Sequence, residues 1–368
     1  MGGGPAGCAT ALSLRSRYPF LNIVLIEASN YDKPRVGEVL PAIARPLLTH
    51  LGVWEGFKAE QFRTVHSQAA AWGQSSLLEN HFIYSARGAG WHLSRTRFDR
   101  FLVEQVAQQG IEVRSQTRLV AIAPSNPTPD EMLHLQFCDR SQLQARFAVD
   151  ATGRRAILAR KMGRRSLVFD RLIAFVRFFE IDHQPLPGTA IEAFSGGWWY
   201  TALAGNCRVV ACLSDSDIAR ELGLTDRDRW LVLLRKTRWI QARVGDSILQ
   251  SKAIVRPANS TCLDRVYGNC WLAVGDAASA YDPLSSQGIT KALRLGIFAG
   301  YAIGDYLSKG DTAGLARYAS LVQQEFEHYR QAHKQYSARE QRWPQSQFWR
   351  RRHGKEQLKI GHISKPEI

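Results

Sequence analysis

Three glycines open the chain at a spacing that suits phosphate chemistry. Gly2, Gly4 and Gly7 supply G-x-G-x-x-G with Pro5 and Ala6 inside it, and an alanine-rich helical pattern follows to Arg17. In such a loop the first glycine makes a tight turn, the second lets backbone approach a pyrophosphate, and the third lets the helix pack closely. The helix N-terminus adds N–H groups and a positive dipole. The strand pattern over 22–26, apolar from Ile23, ends in Glu27, 20 residues after Gly7, where a carboxylate can hold the ribose hydroxyls of an adenosine half. Much later, an apolar strand pattern over 271–274 ends in Gly275-Asp276. Pro283 and Gln287-Gly288-Ile289 follow and lead into a helical pattern. An acid at that strand end can accept from a ribityl hydroxyl, and the next helix N-terminus can stabilise negative charge on a reduced flavin ring. Asp150-Ala151-Thr152-Gly153-Arg154, after another apolar strand, is a third glycine turn.

These turns need elements to hold them. Only Met1 precedes the first glycine, so the strand that ordinarily leads into such a loop is missing from the sequence as written, and the native start codon is expected upstream. Residues 38–52 read as a helix interrupted by prolines, with Gly52 as its stop. Phe98, Phe101, Leu102 and Val106 recur at helical spacing and predict a helix over 96–110 that runs into a short strand over 111–114. Strand patterns follow at 118–122, 133–137 and 146–150. The runs at 172–181, 190–194, 198–203 and 208–213 then predict an antiparallel sheet, and helical periodicity returns at 290–307 and 312–339.

A chain of 368 residues implies two domains, or one carrying an insertion. Its 45% hydrophobic and 22% charged residues are ordinary globular values that exclude collagenous, low-complexity and disulfide-stapled classes. There is no apolar run of about 18 residues and no positively flanked leader, so no membrane span is expected and the protein is expected to be cytoplasmic. Six cysteines lack a C-x-x-C pair and the histidines lack ligand spacing, so no metal is expected. The net charge of +15 favours an anionic cofactor, an acidic partner or nucleic acid. No zinc-finger or RNA-binding signature accompanies Arg350-Arg351-Arg352. Nucleic acid is therefore not expected, and the run reads as a solvated or partner-facing basic tail.

With these motifs in place, the sequence resembles the FAD-dependent monooxygenases of the hydroxybenzoate hydroxylase-like fold, and within them the tryptophan halogenase-like group, over nearly its whole length. The resemblance implies non-covalent FAD. It places Gly2, Gly4, Pro5, Ala6 and Gly7 at the pyrophosphate, Glu27 at the ribose, and Gly37-Glu38 with Pro41 beside the isoalloxazine. Arg95 with Asp99, Asp150 with Gly153, and Gly275, Asp276, Pro283, Gln287, Gly288 and Ile289 complete the cofactor set. The implied fold class is α/β: a Rossmann-like FAD-binding domain in two parts, 1–165 and 261–310. Between them lies an antiparallel-sheet substrate domain, 166–260, and a helical region with a basic tail follows at 311–368.

Flavin halogenases carry a lysine that holds hypohalous acid near the substrate, and a W-x-W-x-I-P block. The stretch 62–72, where that lysine is expected, holds none, and Gly197-Trp198-Trp199-Tyr200-Thr201-Ala202 stands in place of the block. Together with the Trp- and Arg-rich C-terminal segment, this resembles a narrower group, the flavoproteins that modify a tryptophan during maturation of cysteine tryptophylquinone oxidases and dehydrogenases. That resemblance implies hydroxylation of a tryptophan side chain in a quinoprotein subunit precursor, which would use oxygen. Electrons would come from NAD(P)H bound transiently, or from reduced flavin supplied by a flavin reductase. His66, His92 and Trp199 are the candidates for catalytic positions; the histidines suit proton transfer near neutral pH, and the tryptophan suits either a flavin-packing wall or a sheet core. A halogenase, an isoprenoid reductase and a non-catalytic FAD-binding maturation chaperone are the alternatives.

Overall fold

A computed structural model of the chain describes residues 1–82, 88–181, 186–250 and 252–354. The chain folds as two units: Met1–Phe62, Leu93–Leu167 and Thr261–His328 form the first, and Arg63–His92, Val168–Ser260 and the chain from Tyr329 form the second. The second unit thus contains nearly all of the expected 166–260 insertion. It also takes in 63–92 and the later part of 311–368, which the sequence reading leaves outside the sheet domain.

In the first unit, helix Pro5–Arg17 starts on a proline whose fixed φ suits the first turn, and it is buried from Pro5 to Leu14. The burial is possible because helix Gly288–Lys309 presents Gly296, Gly300 and Gly304 to it. A Cβ on Gly300 would stand 2.6 Å from Ser13 Oγ, and one on Gly304 1.9 Å from the Tyr18 ring. Ser13 Oγ donates to the carbonyl of Ile297 at 3.1 Å across the same seam. Strand Val24–Ile26 pairs in parallel with Glu112–Arg114, and Ala148–Asp150 pairs in parallel with Trp271–Ala273. Met1 and Gly2 link the two pairs, for the Gly2 N–H donates to Ile26 O and the Ala151 N–H to Met1 O. Strands Leu119–Ala123, Leu133–Phe137 and Gln142–Ala145 form a separate antiparallel sheet, in which Leu133, Leu135 and Phe137 face the core. The helix expected over 38–52 is reduced to Ala44–His50, preceded by the short strand Val39–Leu40.

Among the described residues, the sheet of the second unit has seven strands. Their order is Ile254–Pro257, Leu172–Glu180, Cys207–Asp215, Gly197–Ala204, Thr189–Phe194, Ser67–Ala71 and Leu78–His81. All neighbours are antiparallel except Thr189–Phe194 with Ser67–Ala71. Phe175, Phe179, Trp199, Val210 and Cys212 project from one face into a core shared with Trp230, Leu234 and Ile240 of helices Arg227–Arg235 and Trp239–Val244. The Glu192 carboxylate accepts the N–H groups of Arg238, Trp239 and Ile240 at 2.8–3.0 Å, satisfying donors at the start of the second of these helices.

The expected basic tail is corrected at two of its three arginines. Arg351 and Arg352 are nearly buried and pair with Asp215, and Arg351 also chelates Asp217, while Arg350 stays exposed. Burial pulls these guanidiniums toward carboxylates that sit at the end of strand Cys207–Asp215 and the start of the next helix. Trp349 is anchored beside them, its indole N–H donating to Phe194 O at 2.9 Å. Residues 355–368 of that tail lie outside the described residues. Among the described residues no helix is long and apolar enough to cross a membrane.

Candidate functional site

The first unit brings the glycine turns together. Gly2 has φ +103° and its missing Cβ would meet Ala151 O at 2.1 Å; at Gly7 a Cβ would meet Gly2 O at 1.9 Å. The first and third glycines are therefore required by close backbone approach. Gly4 differs, for no heavy atom counted at its Cβ position lies within 4 Å, which leaves its face open to a ligand. Helix Pro5–Arg17 starts there with no side-chain cap and no acid in its first turn. Open space beside free N–H donors and a positive helix end is what a pyrophosphate needs. Gly275, with φ +65°, lies against this loop, its missing Cβ 2.7 Å from the Ala6 methyl.

Glu27 is buried behind the loop. Its Oε2 accepts from the Gly3 N–H at 2.7 Å, and Oε1 accepts from Ser29 N–H, Ser29 Oγ and Arg35. Burial opposes ionisation, but the Ser29 and Gly3 donors and the Arg35 charge outweigh it and hold the carboxyl below its usual range. Arg35 continues to Asp99 at 2.7 Å, Arg95 chelates the same Asp99 at 3.1–3.2 Å, and Arg95 also donates to Val36 O. Gly37, at φ +110°, lies where a Cβ would stand 2.6 Å from Arg95 Nη1, and its N–H donates to the buried Glu38 carboxylate. One ionic chain thus joins Glu27 to the Val36–Glu38 segment. The sequence reading misses Arg35, since a basic residue in a polar loop carries no periodic or motif signal.

At the other end, Asp276 is about a third accessible and is held by two cations: Lys291 Nζ at 3.0 Å and Arg154 Nε at 3.7 Å. Burial opposes its ionisation, and Lys291 and Arg154 overcome this to hold it below the usual carboxylate range. Lys291 is fully buried, donates also to Ser279 O, and lies 4.0 Å from the Tyr281 ring centroid. Burial lowers its own pKa against the pull of Asp276. It too escapes the sequence reading; its one signal is a lysine at a core-facing position of an apolar helix, where charge is rare unless paired. Gly288 opens helix Gly288–Lys309 with no side-chain cap and no acid in the first turn, and its Cβ position is likewise open. Pro283 and Gln287 are exposed near this start, whereas Ile289 is buried and packs inward.

Asp150, like Glu27, is held by donors of the chain itself. It is fully buried and both its oxygens are engaged, Oδ1 by the Thr152 N–H and hydroxyl and Oδ2 by the Ala159 N–H. Its work is to shape the turn in which Gly153 takes φ +65°. The set fits FAD on the chemistry of its donors. Two uncapped helix ends face open glycine surfaces, and Glu27 and Asp276 are held as carboxylates.

The three catalytic candidates all fall in the second unit. His66 is exposed and hydrogen-bonds Thr64 Oγ1 at 2.9 Å. The Trp199 indole is buried in the sheet core, 5.0 Å from the Trp230 ring centroid, as a packing group. His92 is only 3% exposed, and among the described residues both its ring nitrogens lack hydrogen-bond partners. Burial, aided by Arg63 and Arg208, pushes its pKa down to about 4. A neutral buried imidazole stabilises the fold above its unfolded pKa of about 6.5 and loses that contribution as pH falls toward 4. The unfolding free energy of the wild type should therefore fall by about 3 kcal/mol more than that of His92→Phe between pH 7 and 4. Parallel stability curves for the two proteins would refute the assigned environment.

Comparison with known proteins gives this geometry its family. The family model for tryptophan halogenases matches residues 58–362. The chain is 30% identical over 369 aligned residues to LodB of Marinomonas mediterranea, named as an FAD-dependent oxidoreductase, covering 96% of this chain and 95% of LodB. Among solved structures, the flavin-dependent halogenase CmlS matches with a TM-score of 0.84 at 25% identity, over 95% of this chain and 66% of CmlS. QhpG, a peptidyl tryptophan dihydroxylase essential for tryptophylquinone cofactor biogenesis, matches in fold with a TM-score of 0.76 at 23% identity, over 99% of this chain and 80% of QhpG. The chain belongs to the tryptophan halogenase family of FAD-dependent oxidoreductases.

Proposed function

We propose that this protein is an FAD-dependent monooxygenase that hydroxylates a tryptophan side chain of a partner protein during tryptophylquinone biogenesis. The observation that carries the reading is the stretch 62–72. It holds no lysine, where halogenases of this family carry the residue that handles hypohalous acid. The described function of QhpG, whose fold matches over 99% of this chain, supplies the substrate class.

FAD, when bound and reduced, supplies the activation of dioxygen. The chain's own residues do the rest. The N–H groups at the Gly2–Gly7 loop take the pyrophosphate, Glu27 accepts from the ribose, and Asp276, kept ionised by Lys291 and Arg154, accepts from a ribityl hydroxyl. The uncapped start of helix Gly288–Lys309 offers positive potential to a reduced ring. His92, held neutral by burial, is a weak base with a pKa of about 4. Per oxygen inserted, one C–H bond becomes C–OH, the second oxygen atom leaves as water, and two electrons come from NAD(P)H or a reductase.

The test is mass spectrometry of a co-expressed quinoprotein subunit precursor after incubation with the flavin-loaded protein, NADH, a flavin reductase and oxygen. A gain of one or two oxygen atoms on a tryptophan is expected. The second reading, halogenation, is favoured by the match to CmlS, and a bromine-for-hydrogen exchange in added bromide would establish it instead. Stable association with the precursor but no mass change would establish the chaperone alternative.

A further inference from the structure

The second unit buries a guanidinium that no carboxylate among the described residues pairs with. Arg177 stands between Phe175 and Phe179 on strand Leu172–Glu180, so strand alternation turns it to the helix-covered face where the neighbouring strands place Trp199 and Val210. It is 3% exposed. It stacks 5.2 Å from the Trp230 ring centroid and donates to Thr225 O at 3.5 Å, and among the described residues its Nε has no partner and it makes no ion pair. A buried charge in this condition is unfavourable unless something pairs with it.

Arg177 lines a cavity of about 530 Å³ together with Thr225, Arg227, Gln250 and Lys252. Burial first, and then the charge of Arg227, push the Arg177 pKa down, with Asp226 and Asp228 compensating in part. Asp226 is committed elsewhere, its carboxylate accepting the N–H groups of Asp228 and Arg229. Leu249 and Val255 also line the cavity. Val255 belongs to Ile254–Pro257, the edge strand of the sheet, and it and Ile248 are 41% and 67% exposed. Among the described residues no strand pairs with the outer side of Ile254–Pro257, so the edge is open to an added extended segment.

We propose that this cavity is a docking pocket for an acidic side chain carried on an extended peptide segment of the protein substrate, the segment lying along the Ile254–Pro257 edge. The occupant follows from three observations. Arg177, Arg227 and Lys252 converge on one cavity in a chain of net charge +15. The cavity is many times the volume of about 30 Å³ that one water occupies, which suits a side chain with its flanking backbone. The edge strand adjoins it, its exposed Val255 among the lining residues. The proposal rests on the reading that the substrate is a protein.

The experiment measures binding of a fluorescein-labelled peptide of alternating valine and glutamate to the full-length flavin-loaded protein at low salt, by fluorescence anisotropy. The isosteric valine–glutamine peptide should bind at least about tenfold more weakly. Arg177→Met should weaken the glutamate peptide by a similar factor. So should the double variant Arg227→Glu/Lys252→Glu, which changes two exposed side chains and keeps the test valid if Arg177→Met misfolds. The flavin absorbance of the double variant should match the wild type. Equal binding of the two peptides, or unchanged affinity in the double variant, overturns the pocket. Displacement of the peptide by an equal concentration of inorganic phosphate would show a site for free anions and overturn the occupant. The assay involves no oxygen chemistry. Failed oxygen insertion with charge-dependent peptide binding would thus reject the proposed function alone, and the reverse pattern would reject the pocket alone.

Discussion

Gly7→Ala is expected to purify colourless, with its affinity for FAD lowered by at least about a hundredfold, or about 2.7 kcal/mol. Alanine is otherwise the better helix former, so propensity would favour the substitution by about 1 kcal/mol. Geometry decides against it: the new methyl carbon would stand 1.9 Å from Gly2 O and 3.2 Å from the Ala151 Cβ, and the turn from Gly2 into the helix would have to open. Gly4→Ala is the informative companion. Its added methyl meets no heavy atom within 4 Å, so the fold should keep its melting temperature while the pyrophosphate loses its approach. Absorbance titration with FAD and thermal unfolding of both variants separate the two effects. Normal FAD affinity in Gly7→Ala would remove this loop from the cofactor site.

The Asp276–Lys291 pair should respond asymmetrically. Asp276→Asn leaves the fully buried Lys291 ammonium facing an amide, with Arg154 still close to the site, and should destabilise the protein by about 3–5 kcal/mol besides loosening FAD. Lys291→Met removes the buried charge itself, and the Asp276 carboxylate keeps Arg154 and access to water, so about 1–2 kcal/mol is expected. The double variant should return close to the Lys291→Met value, since the stranded ammonium is gone. Urea unfolding of the three proteins without FAD reads this directly. Additive losses would mean that the two groups do not act as a pair.

The parts of the site that were legible in the sequence are those where backbone geometry leaves one residue type. Gly2, Gly7 and Gly275 are fixed by approaches under 3 Å, and Glu27 and Asp276 by their places at strand ends. Side chains that complete the site through charge were not legible: Arg35 and Lys291 come from a loop and from the inward side of a helix. Asp150 shares the strand-end pattern of Asp276, but its oxygens are turned to Thr152 and Ala159, a difference that only the turn's conformation makes visible. The long antiparallel strands were legible within a residue or two because they are near-continuous runs of β-branched, aromatic and other apolar residues. Ser67–Ala71 was not, since alanines next to Ser67 and Gln68 give no alternating signal. The helices over Ser216–Val244 went unread for a related reason: each is short, and tertiary burial of Trp230, Leu234 and Ile240 stabilises them more than propensity does.

The glycine seam between the first helix and helix Gly288–Lys309 has an electrostatic consequence. Ala6 and Ala9 meet Gly296, Ser13 meets Gly300 and Tyr18 meets Gly304, so the two helices run in the same direction with their N-termini at one end. Parallel dipoles side by side repel, and without ligand the protein holds two partial positive charges together against that repulsion. The close fit that glycine permits offsets it. An anionic ligand placed before both helix starts removes the repulsion as well as adding its own contacts, so the fold and an anion at that end of the unit stabilise each other.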